Sequence, residues 1–462
     1  MLLSRAGSLQ LRFVAQRALA YSTKNNVVTD MTNRGLVANV TSPELAKRTE
    51  TSTAIYCGVD PTASSLHLGN LVTLMGLLHF HIRGHQTIAL VGGATGSIGD
   101  PSGRNSERVP LTRDVLEHNI QGIEQQIHRF FNHGAAYAER RGFSGDYKTP
   151  KVLNNYSWFS NMTALDFLGD IGRYARVNTM LAKESVKSRL ESTQGISFTE
   201  FSYQLLQAYD FSYLYDKHEC RVQLGGSDQW GNITAGIDLI GKKGAPEGLE
   251  NKAFGITIPL LLTSSGEKFG KSAGNAVWLN KSMTSIFDFY QFFMRSTDAD
   301  VEKYLSMFTL LKQNEVAEIM QEHWKQPEKR VAQKTLADET TELVHGVDAV
   351  RQAQVATKVL FGESLTNIHG QDIVDAFKHD HHRFYSTERN QLIGVELGKI
   401  AVQAKATKSR SEAQKLIKAG GFYLNDVRVT DHRYTLSETD LLDQQVCVLR
   451  VGKSSYHVVH AM

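Results

Sequence analysis

A pattern of strand, helix and strand within residues 54–93 constrains the fold more than any other part of this 462-residue chain. The segment AIYCGV (54–59) is strand-like, and TIALVGG (87–93) is a continuous apolar run typical of a buried parallel strand. Between them, apolar residues recur at the spacing of a helix, namely Leu68, Leu71, Val72, Met75 and Leu78. Gly84 marks the end of that helix. The sequence therefore predicts an α/β fold with a doubly wound (Rossmann-like) parallel sheet, whose ligands bind at the carboxyl ends of the strands.

The length of the chain predicts further domains. We expect the α/β domain to span 29–285, with a helical insertion near 112–190. Residues 286–375 have a charged, helical pattern that predicts an α-helical domain, and the polar stretch 376–395 predicts a linker. Residues 396–462 predict a small α+β unit. The HDHH run (379–382) has no matching ligands elsewhere, so we expect exposed histidines there and no metal held by protein ligands.

The N-terminus differs in composition from the rest of the chain. Its first 29 residues contain Arg5, Arg12, Arg17 and Lys24 but no acidic residue, and without these four the formal charge of +3 becomes −1. This composition predicts a mitochondrial transit peptide over residues 1–28. The alternative is a disordered tail that happens to lack acids.

Cysteine usage and hydropathy also narrow the location of the protein. The three cysteines, Cys57, Cys220 and Cys447, are far apart and predict neither a disulfide framework nor a zinc site. A reducing compartment such as the mitochondrial matrix fits this usage. No stretch approaches the roughly 20 apolar residues of a membrane span, so we expect no membrane partner.

Two short motifs suggest that the chain binds phosphate groups. HLGN (67–70) opens the predicted helix, where backbone N–H groups and the positive helix end favour a phosphate. His67 can donate a hydrogen bond, and Gly69 permits a close approach of the nucleotide. KFGKS (268–272) places Lys268 and Lys271 where they suit charge on a departing pyrophosphate. The alternatives are a histidine that caps an ordinary helix and a solvated charged loop.

Neither of the standard nucleotide fingerprints is present. The loop GGATGSIGDPSGR (92–104) follows a predicted strand but lacks the glycine spacing of a dinucleotide site. Ser265 stands where a P-loop would require its first glycine, so that interpretation of KFGKS is rejected. Asp100, at the end of a strand, is suited to a substrate ammonium group. The alternative for this loop is a plain Gly/Pro turn.

The C-terminal unit contains a basic segment. Between Lys399 and Lys418 there are six Lys or Arg residues and one acid, Glu412. Ser409 or Ser411 could cap a helix that ends at Gly420, and a small hairpin follows. A local positive surface in a chain whose overall charge is nearly neutral predicts binding to a nucleic-acid backbone. The residues expected to bind RNA are Lys405, Lys408, Arg410, Lys415 and Lys418. The alternative is a solvated basic helix.

Longer segments carry a resemblance to a known family. They are, in chain order, YCGVDPTASSLHLGN, LVGGATGSIGDPSGR, VNTMLAKESVKSRL, ISFTEFSYQLLQAYDF, QLGGSDQWGNITAG and KFGKS. In this order they resemble tyrosyl-tRNA synthetases of the bacterial and mitochondrial type, from Tyr56 through Ser272. The last seventy residues are similar to the ribosomal-protein-S-four-type RNA-binding domain of those enzymes.

The resemblance implies a role for each matching residue. Tyr56 and Asp210 would bind the phenolic hydroxyl of tyrosine, Asp100, Tyr203 and Gln207 its ammonium group, and Gln229 would lie near its carboxylate. The ATP site would comprise Cys57, Asp60, Gly69, Asn70, Thr73, Gly226 and Asp228, with Lys268 and Lys271. The pyrophosphate would be surrounded by Thr62, His67, Arg104, Arg108, Lys268 and Lys271. Two residues depart from the family pattern, Asn70 for histidine and Arg104 for lysine.

The implied activity is that of a tyrosine–tRNA ligase. It would use tyrosine and ATP with Mg²⁺ to form tyrosyl-adenylate, and then charge tRNA(Tyr) as a homodimer. The insertion near 112–190 would mediate dimerisation, and the α-helical domain of 286–375 would bind the tRNA anticodon. The substrate carboxylate is itself the nucleophile, so such a site needs orientation and charge stabilisation rather than a general base. Two rivals remain, a synthetase-derived RNA-binding protein such as an intron-splicing factor, and another nucleotidyl transferase. Tyrosine-dependent exchange of pyrophosphate into ATP separates the three.

Overall fold

The computed structural model describes residues 26–462, apart from 103–105, 107, 109–110, 146, 265, 267–268, 273–274, 363, 366–367 and 453–454. For Lys271, Ser272 and Asn275 it describes the backbone only. Two candidate site residues, Arg104 and Lys268, and residues 1–25 of the expected transit peptide lie outside the described residues. The chain divides into two compact units, one reaching Met283 and including Phe292–Val344, the other formed by Thr284–Gln291 and His345–Met462.

The elements up to His345 have the following bounds. The strands are β1 (Asn39–Val40), β2 (Ala54–Val59), β3 (Gln86–Val91), β4 (Lys151–Asn154), β5 (Cys220–Gly226), β6 (Phe254–Ile258), β7 (Lys271–Ser272) and β8 (Asn275–Ala276). The helices are α1 (Val27–Asn33), α2 (Glu44–Arg48), α3 (Leu68–His81), α4 (Thr95–Ile98), α5 (Arg113–Arg140), α6 (Tyr156–Phe159), α7 (Ala164–Asp170), α8 (Val177–Leu181), α9 (Glu184–Leu190), α10 (Phe198–His218), α11 (Trp230–Lys242), α12 (Ile286–Met294), α13 (Asp298–Phe308), α14 (Gln313–His323) and α15 (Val331–His345).

The main sheet confirms the predicted doubly wound fold. Its strand order is β1–β6–β5–β2–β3–β4, and every pair is parallel except the edge pair of β1 with β6. Strands β2 and β3 pair in register from Ala54 opposite Gln86 to Val59 opposite Val91, so the predicted βαβ unit is present. The chain builds β3 and β4 on one side of β2, and then β5 and β6 on the other. The order therefore reverses between β2 and β5, where ligands of such sheets bind.

Helix α3 is buried on more than one side, which its sequence pattern did not indicate. The five apolar residues predicted to face inward are buried, but His79, Phe80 and His81 are buried as well. A Cβ atom at Gly76 would touch Leu224 and Ile258 of the sheet, and one at Gly134 of α5 would touch Leu78 of α3. The helix is therefore covered by α5 in addition to the sheet, while helical periodicity can report only one face.

The second unit contains a separate five-stranded sheet. Its strands are β9 (Phe384–Thr387), β10 (Phe422–Leu424), β11 (Val427–Arg428), β12 (Val446–Val451) and β13 (Ser455–Ala461), in the order β11–β10–β12–β13–β9. Its helices are α16 (Val347–Leu360), α17 (Gly370–Phe377), α18 (Leu397–Gln403) and α19 (Arg410–Lys418). The predicted hairpin is the β10–β11 pair, and Ser409 caps α19 by accepting from the backbone of Glu412.

This sheet has two apolar cores, one on each side. Ile400, Ile417 and Leu449 belong to the core shared with α18 and α19. Val359 of α16, Ile373 of α17 and the strand residues Val448 and Val458 belong to the other. Strand β9 pairs in parallel with β13 and lies within 376–395, where the sequence predicted a linker. The segment is polar and its strand has only four residues, so its pairing depends on the edge that β13 offers.

The packing of α16 and α17 leads to a prediction about truncation. A chain that ends after Asn390 loses β10 to β13 and leaves the apolar sides of α16 and α17 without cover. Each large apolar side chain exposed in this way costs about 1.5–3 kcal/mol. We expect this chain to bind the dye 8-anilinonaphthalene-1-sulfonate more strongly than the full-length protein, with a lower melting temperature.

A chain that ends after Gly346 is the control, because it lacks both the sheet and the helices that cover it. Its dye binding should be weaker than that of the chain ending after Asn390. Equal dye fluorescence of the full-length protein and the Asn390 truncation would contradict the packing described.

Candidate active site

The polar groups of the candidate site come from the carboxyl ends of the parallel strands. Asp60 follows β2, Thr95 follows β3, and Asn155 follows β4. Strand β5 ends in Gly226, which leads into a short 3₁₀ turn, Ser227–Gln229. Helix α10 contributes side chains to the same place, as the contacts below show. The site thus lies where the strand order reverses.

Tyr56 and Asp210, the residues expected to recognise a phenol, lie in one buried region. Both are almost fully buried, and the ring of Tyr56 packs on Phe211 at a centroid distance of 5.3 Å. The hydroxyl of Tyr56 has no hydrogen-bond partner among the described residues. Its pKa is raised well above the usual range by burial and, secondarily, by the charge of Asp210. A buried hydroxyl without a partner is a group that a bound polar ligand can satisfy.

The carboxyl group of Asp210 is held from two sides. Oδ2 accepts from Nδ2 of Asn155 at 3.1 Å, and Oδ1 accepts from Nε1 of Trp158 at 2.9 Å. Burial nevertheless raises the pKa of Asp210 to about 8, against the effect of these two hydrogen bonds and with a further contribution from the charge of Asp60. A ligand that donates a hydrogen bond to this group would favour its charged form.

Asp60 is connected to Asp210 through two intervening side chains. Its Oδ1 accepts from the hydroxyl of Thr95 at 2.9 Å, and Thr95 accepts from Nδ2 of Asn155 at 3.0 Å. Its Oδ2 accepts from the hydroxyl of Tyr203 at 2.9 Å. Burial and the charge of Asp100 raise the pKa of Asp60 to about 6, while the charge of Arg108 opposes the shift.

A second hydrogen-bonded group surrounds Asp100. The carboxylate accepts from Nε2 of Gln229 at 2.8 Å and from the backbone N–H of Ser102 at 2.8 Å. Oε1 of Gln229 accepts from Nε2 of Gln207 at 3.1 Å and from Nδ2 of Asn232 at 3.2 Å. The charge of Asp100, which is expected to hold the ammonium group, acts on a second carboxylate, Asp60, which is expected in the ATP site. Such a pair favours a bound cation.

The first phosphate motif forms the start of α3. Nδ1 of His67 accepts from the N–H of Gly69 at 3.0 Å, and the N–H of His67 donates to Oδ1 of Asn70 at 3.1 Å, which together make a capping box. A Cβ atom at position 69 would lie 2.7 Å from Cε1 of His67, so the cap requires a glycine there. The histidine is thus a helix cap, as the alternative interpretation held, at a helix end suited to phosphate.

The second motif lies directly against the first. Gly270 has a φ of +86°, and a Cβ atom there would lie 3.0 Å from Cβ of Leu68 and 3.1 Å from N of Gly69. Val277 joins the two, because its N–H donates to the carbonyl of Gly270 and its carbonyl accepts from the N–H of Leu68. The structure therefore brings together two motifs about two hundred residues apart in sequence.

Arg108 has the features expected of an anion-binding residue. It is half-buried, and its Nε and Nη1 atoms are buried without a hydrogen-bond partner in the part of the chain that the structure describes. Buried guanidinium groups are costly unless an acceptor satisfies them. Thr62, which is exposed, is joined to the same region by a hydrogen bond from its N–H to the carbonyl of Asp60.

The remaining ATP-site candidates line the ends of β2 and β5. Cys57 is buried, which raises the pKa of its thiol to about 12, and the thiol interacts with Thr73 of α3. At Gly226, a Cβ atom would lie 2.5 Å from Oδ1 of Asp228, so a side chain would collide with that carboxylate. Asp228 also accepts from Nε2 of Gln229 at 3.2 Å. Within the described ranges, no group of three or more His, Cys, Asp and Glu residues could hold a metal ion.

The residues expected to bind RNA lie in the second unit, on and just before α19. All five side chains, Lys405, Lys408, Arg410, Lys415 and Lys418, are exposed. The apolar positions Ala413 and Ile417 of α19 face the core instead. The helix thus presents a basic surface to solvent. His379, His381 and His382 are also exposed. Among the described residues, no helix has the length and apolar character needed to cross a membrane.

Sequence reasoning missed four polar residues of the site: Thr95, Asn155, Trp158 and Asn232. Asn155 could have been found, because it directly follows a strand of the parallel sheet, as Asp60 does. The role of Trp158 could not, since its contact with Asp210 joins residues 52 positions apart and depends on the topology.

The raised pKa of Asp210 leads to a prediction about stability. An aspartate in an unfolded chain has a pKa near 3.9, whereas here it is about 8. Between these values the unfolded chain has lost the proton and the folded chain keeps it, so stability falls as the pH rises. Relative to Asp210→Asn, we expect the free energy of unfolding of the unsubstituted protein to fall by about 3 kcal/mol from pH 5 to pH 8.

Urea unfolding at a series of pH values measures this difference. Asp114→Asn is the control, because Asp114 is exposed and its replacement should leave the pH dependence unchanged. Parallel pH profiles for Asp210→Asn and the unsubstituted protein would contradict the prediction.

Comparisons with known proteins identify the family of this chain. A family model described as tRNA synthetases class I (W and Y) matches residues 47–362, and one described as Tyrosine--tRNA ligase SYY-like C-terminal domain matches residues 378–459. The mitochondrial tyrosine–tRNA ligase of Saccharomyces cerevisiae is 41% identical over 452 residues, which cover 95% of this chain and 89% of that protein. Tyrosine–tRNA ligase 1 of Bacillus subtilis is 44% identical over 437 residues, 94% of this chain and 99% of that protein.

A solved structure shows the same likeness. The C-terminally truncated mitochondrial tyrosyl-tRNA synthetase of Aspergillus nidulans is 36% identical, with a TM-score of 0.68, and the match covers 76% of this chain and 99% of that one. Family models cover both parts of the chain, and the similarity to full-length relatives extends over nearly all of it. The chain therefore belongs to the tyrosine–tRNA ligase family of class I aminoacyl-tRNA synthetases.

Proposed function

We propose that this protein activates tyrosine with ATP and transfers it to tRNA(Tyr) in the mitochondrial matrix. The observation that carries the proposal is the buried pair of Tyr56 and Asp210 in the same site as two adjacent phosphate motifs. Family membership supports the activity. The mitochondrial name of the yeast relative and the acid-free, arginine-bearing N-terminus support the location.

Recognition of a phenol follows from the two buried groups. The hydroxyl of tyrosine would donate to Asp210 and accept from the hydroxyl of Tyr56. Phenylalanine would leave the buried hydroxyl of Tyr56 without a partner and would offer no donor to Asp210 beyond Asn155 and Trp158. A buried polar group left unpaired costs about 1–3 kcal/mol. The site would therefore reject phenylalanine by leaving polar groups unsatisfied rather than by size.

The ammonium and carboxylate groups of the substrate would lie further along α10. Asp100, Tyr203 and Gln207 would hold the ammonium group, with Asp60 nearby, and Gln229 would lie near the carboxylate. Because Gln229 already donates to Asp100, an incoming ammonium group would replace one hydrogen-bond donor by another. This exchange would orient the carboxylate toward the nucleotide side.

In the first step, a carboxylate oxygen of tyrosine would attack the α-phosphorus of ATP. A new C–O–P linkage forms, the bond to the bridging oxygen breaks, and pyrophosphate leaves with the electron pair. His67 and Thr62 would donate hydrogen bonds, while Arg104, Arg108, Lys268 and Lys271 would stabilise the growing negative charge. Mg²⁺ would enter with the ATP phosphates. Cys57, Gly69, Asn70, Thr73, Gly226 and Asp228 would hold the adenosine.

In the second step, a hydroxyl of the terminal ribose of tRNA would attack the tyrosyl carbonyl, and AMP would leave. The RNA itself would be held in part by the exposed basic residues on and before α19. Exposed lysine and arginine side chains bind the phosphates of an RNA backbone by displacing counterions, so this part of the affinity would fall with added salt.

We also propose that the protein acts as a homodimer, joined through an exposed apolar surface of the first unit. We assign to this surface the exposed apolar side chains of α7, α8 and the start of α10, namely Leu165 (81% exposed), Leu168 (57%), Val177 (61%), Leu181 (40%) and Phe198 (76%). Exposed apolar patches of this kind mark association sites. The patch lies on α7, α8 and the start of α10, within or beside the insertion expected to mediate dimerisation, so we assign a second copy of this chain as its partner.

The exchange of radiolabelled pyrophosphate into ATP tests the function. We expect exchange by the purified chain without residues 1–25 to depend on tyrosine and not on phenylalanine. Tyr56→Phe removes one hydrogen bond to a buried phenol and should lower the preference for tyrosine about 10- to 100-fold. Absence of tyrosine-dependent exchange would refute the function and leave an RNA-binding protein. Exchange that depends on another acid would indicate a different nucleotidyl transferase.

Sedimentation velocity tests the dimer. A carboxylate at the centre of an apolar interface loses its hydration, so Phe198→Glu should convert the dimer to a monomer of half the mass. Val427→Glu is the control, because Val427 is 70% exposed but lies in the second unit. A monomeric unsubstituted protein, or a dimeric Phe198→Glu variant, would contradict the proposal.

A further inference from the structure

A buried ion pair lies at the start of the helix that carries three of the tyrosine-site candidates. Arg189, on α9, donates to both carboxylate oxygens of Glu200, on α10, from Nε at 3.2 Å and from Nη2 at 2.9 Å. The two side chains are 1% and 3% exposed. A bidentate pair of this kind fixes both the distance and the orientation of its partners.

The position of Glu200 on α10 is what connects the pair to the site. With 3.6 residues per turn, residues 200, 203, 207 and 210 fall within an arc of about 80°. These four residues therefore form one stripe along α10. Within it, Tyr203 donates to Asp60, and Gln207 donates to Gln229. Asp210 accepts from Asn155 and Trp158. Glu200 therefore occupies the N-terminal end of the same stripe.

The stripe is anchored at both ends by buried interactions. At the C-terminal end, Asp210 is held by Asn155 and Trp158. At the other end, Arg189 holds Glu200 and also donates from Nη1 to the hydroxyl of Ser192 at 3.0 Å, which closes the loop before α10. Ser197 adds the helix cap by accepting from the N–H of Glu200. Rotation of α10 about its axis would break these contacts together.

We propose that Arg189 and Glu200 are positioning residues that set the orientation of α10, and through it the tyrosine site. The inference rests on the proposed roles of Tyr203 and Gln207. Buried ion pairs add little net stability compared with apolar residues of similar volume, so a role in specifying one arrangement accounts for the pair better than a role in stability. Neither residue is among the candidates for contact with tyrosine or ATP.

The test compares Michaelis constants of the full-length protein in the exchange assay. The double variant Arg189→Met/Glu200→Leu removes both charges together, so that neither remains buried alone. We expect its KM for tyrosine to rise about tenfold because Tyr203 and Gln207 shift, with its KM for ATP changed by less than about twofold. Arg189→Lys keeps the charge but loses the bidentate geometry and should give an intermediate KM for tyrosine.

A matched control is available on the same helix. Asp216 lies on the opposite side of α10 and pairs with Lys243 at 3.3 Å. Lys243→Met/Asp216→Asn should leave both Michaelis constants unchanged. Melting temperatures are recorded for every variant.

Three outcomes overturn the inference. One is an unchanged KM for tyrosine in a folded double variant, and another is an equal rise of the KM values for tyrosine and ATP. The third applies if the double variant does not fold. In that case an unaltered KM for tyrosine in Arg189→Lys overturns the inference. Absence of tyrosine-dependent exchange in the unsubstituted protein would instead refute the proposed function.

Discussion

The candidate site depends on two carboxyl groups at the same end of a sheet, that of Asp210, which is buried, and that of Asp60, which is partly buried. Either group alone would be costly to bury. A continuous series of hydrogen bonds from Asp60 through Thr95 and Asn155 to Asp210 offsets that cost. The four residues come from the ends of three strands and from α10. Displacement of any one would leave another unsatisfied, so the network fixes these elements relative to one another.

The topology explains why this network can exist. Where the strand order reverses, the connections from β2 and β5 leave on opposite sides, and the edge between them stays uncovered. The polar residues that follow the strands meet there, together with Tyr203, Gln207 and Asp210 of α10. Without a ligand, several of these groups satisfy one another, as Gln229 does when it donates to Asp100 and accepts from Gln207. The buried hydroxyl of Tyr56, in contrast, has no partner among the described residues. A substrate would exchange partners with groups of the first kind and supply a partner to the second, so binding would select for matching donors and acceptors more than for apolar area.

Local patterns predicted much of the fold because local interactions decide them. The parallel pair β2–β3 and the cap at Ser409 needed only neighbouring residues to be recognised. Burial of α3 on several sides and the pairing of β9 depend on what packs against them, and periodicity carries no such information. The same holds for the site. Asp60, which follows a recognisable strand, could be proposed from the sequence, whereas Trp158 meets Asp210 only because the sheet brings their elements together.

The structure suggests different roles for the two phosphate motifs, hydrogen bonding for the first and positive charge for the second. Because Nδ1 of His67 accepts from the N–H of Gly69, the ring is held as a helix cap, and Nε2 is its other polar atom. Asn70 completes the cap through Oδ1, a task that a carboxamide oxygen performs well, and its Nδ2 provides a donor. Both residues are engaged in the cap, whereas a departing pyrophosphate needs fixed positive charge. That charge would have to come from the arginine and lysine candidates, and the contact of Gly270 with the start of α3 brings the lysine-bearing segment to the helix end where the phosphates would lie.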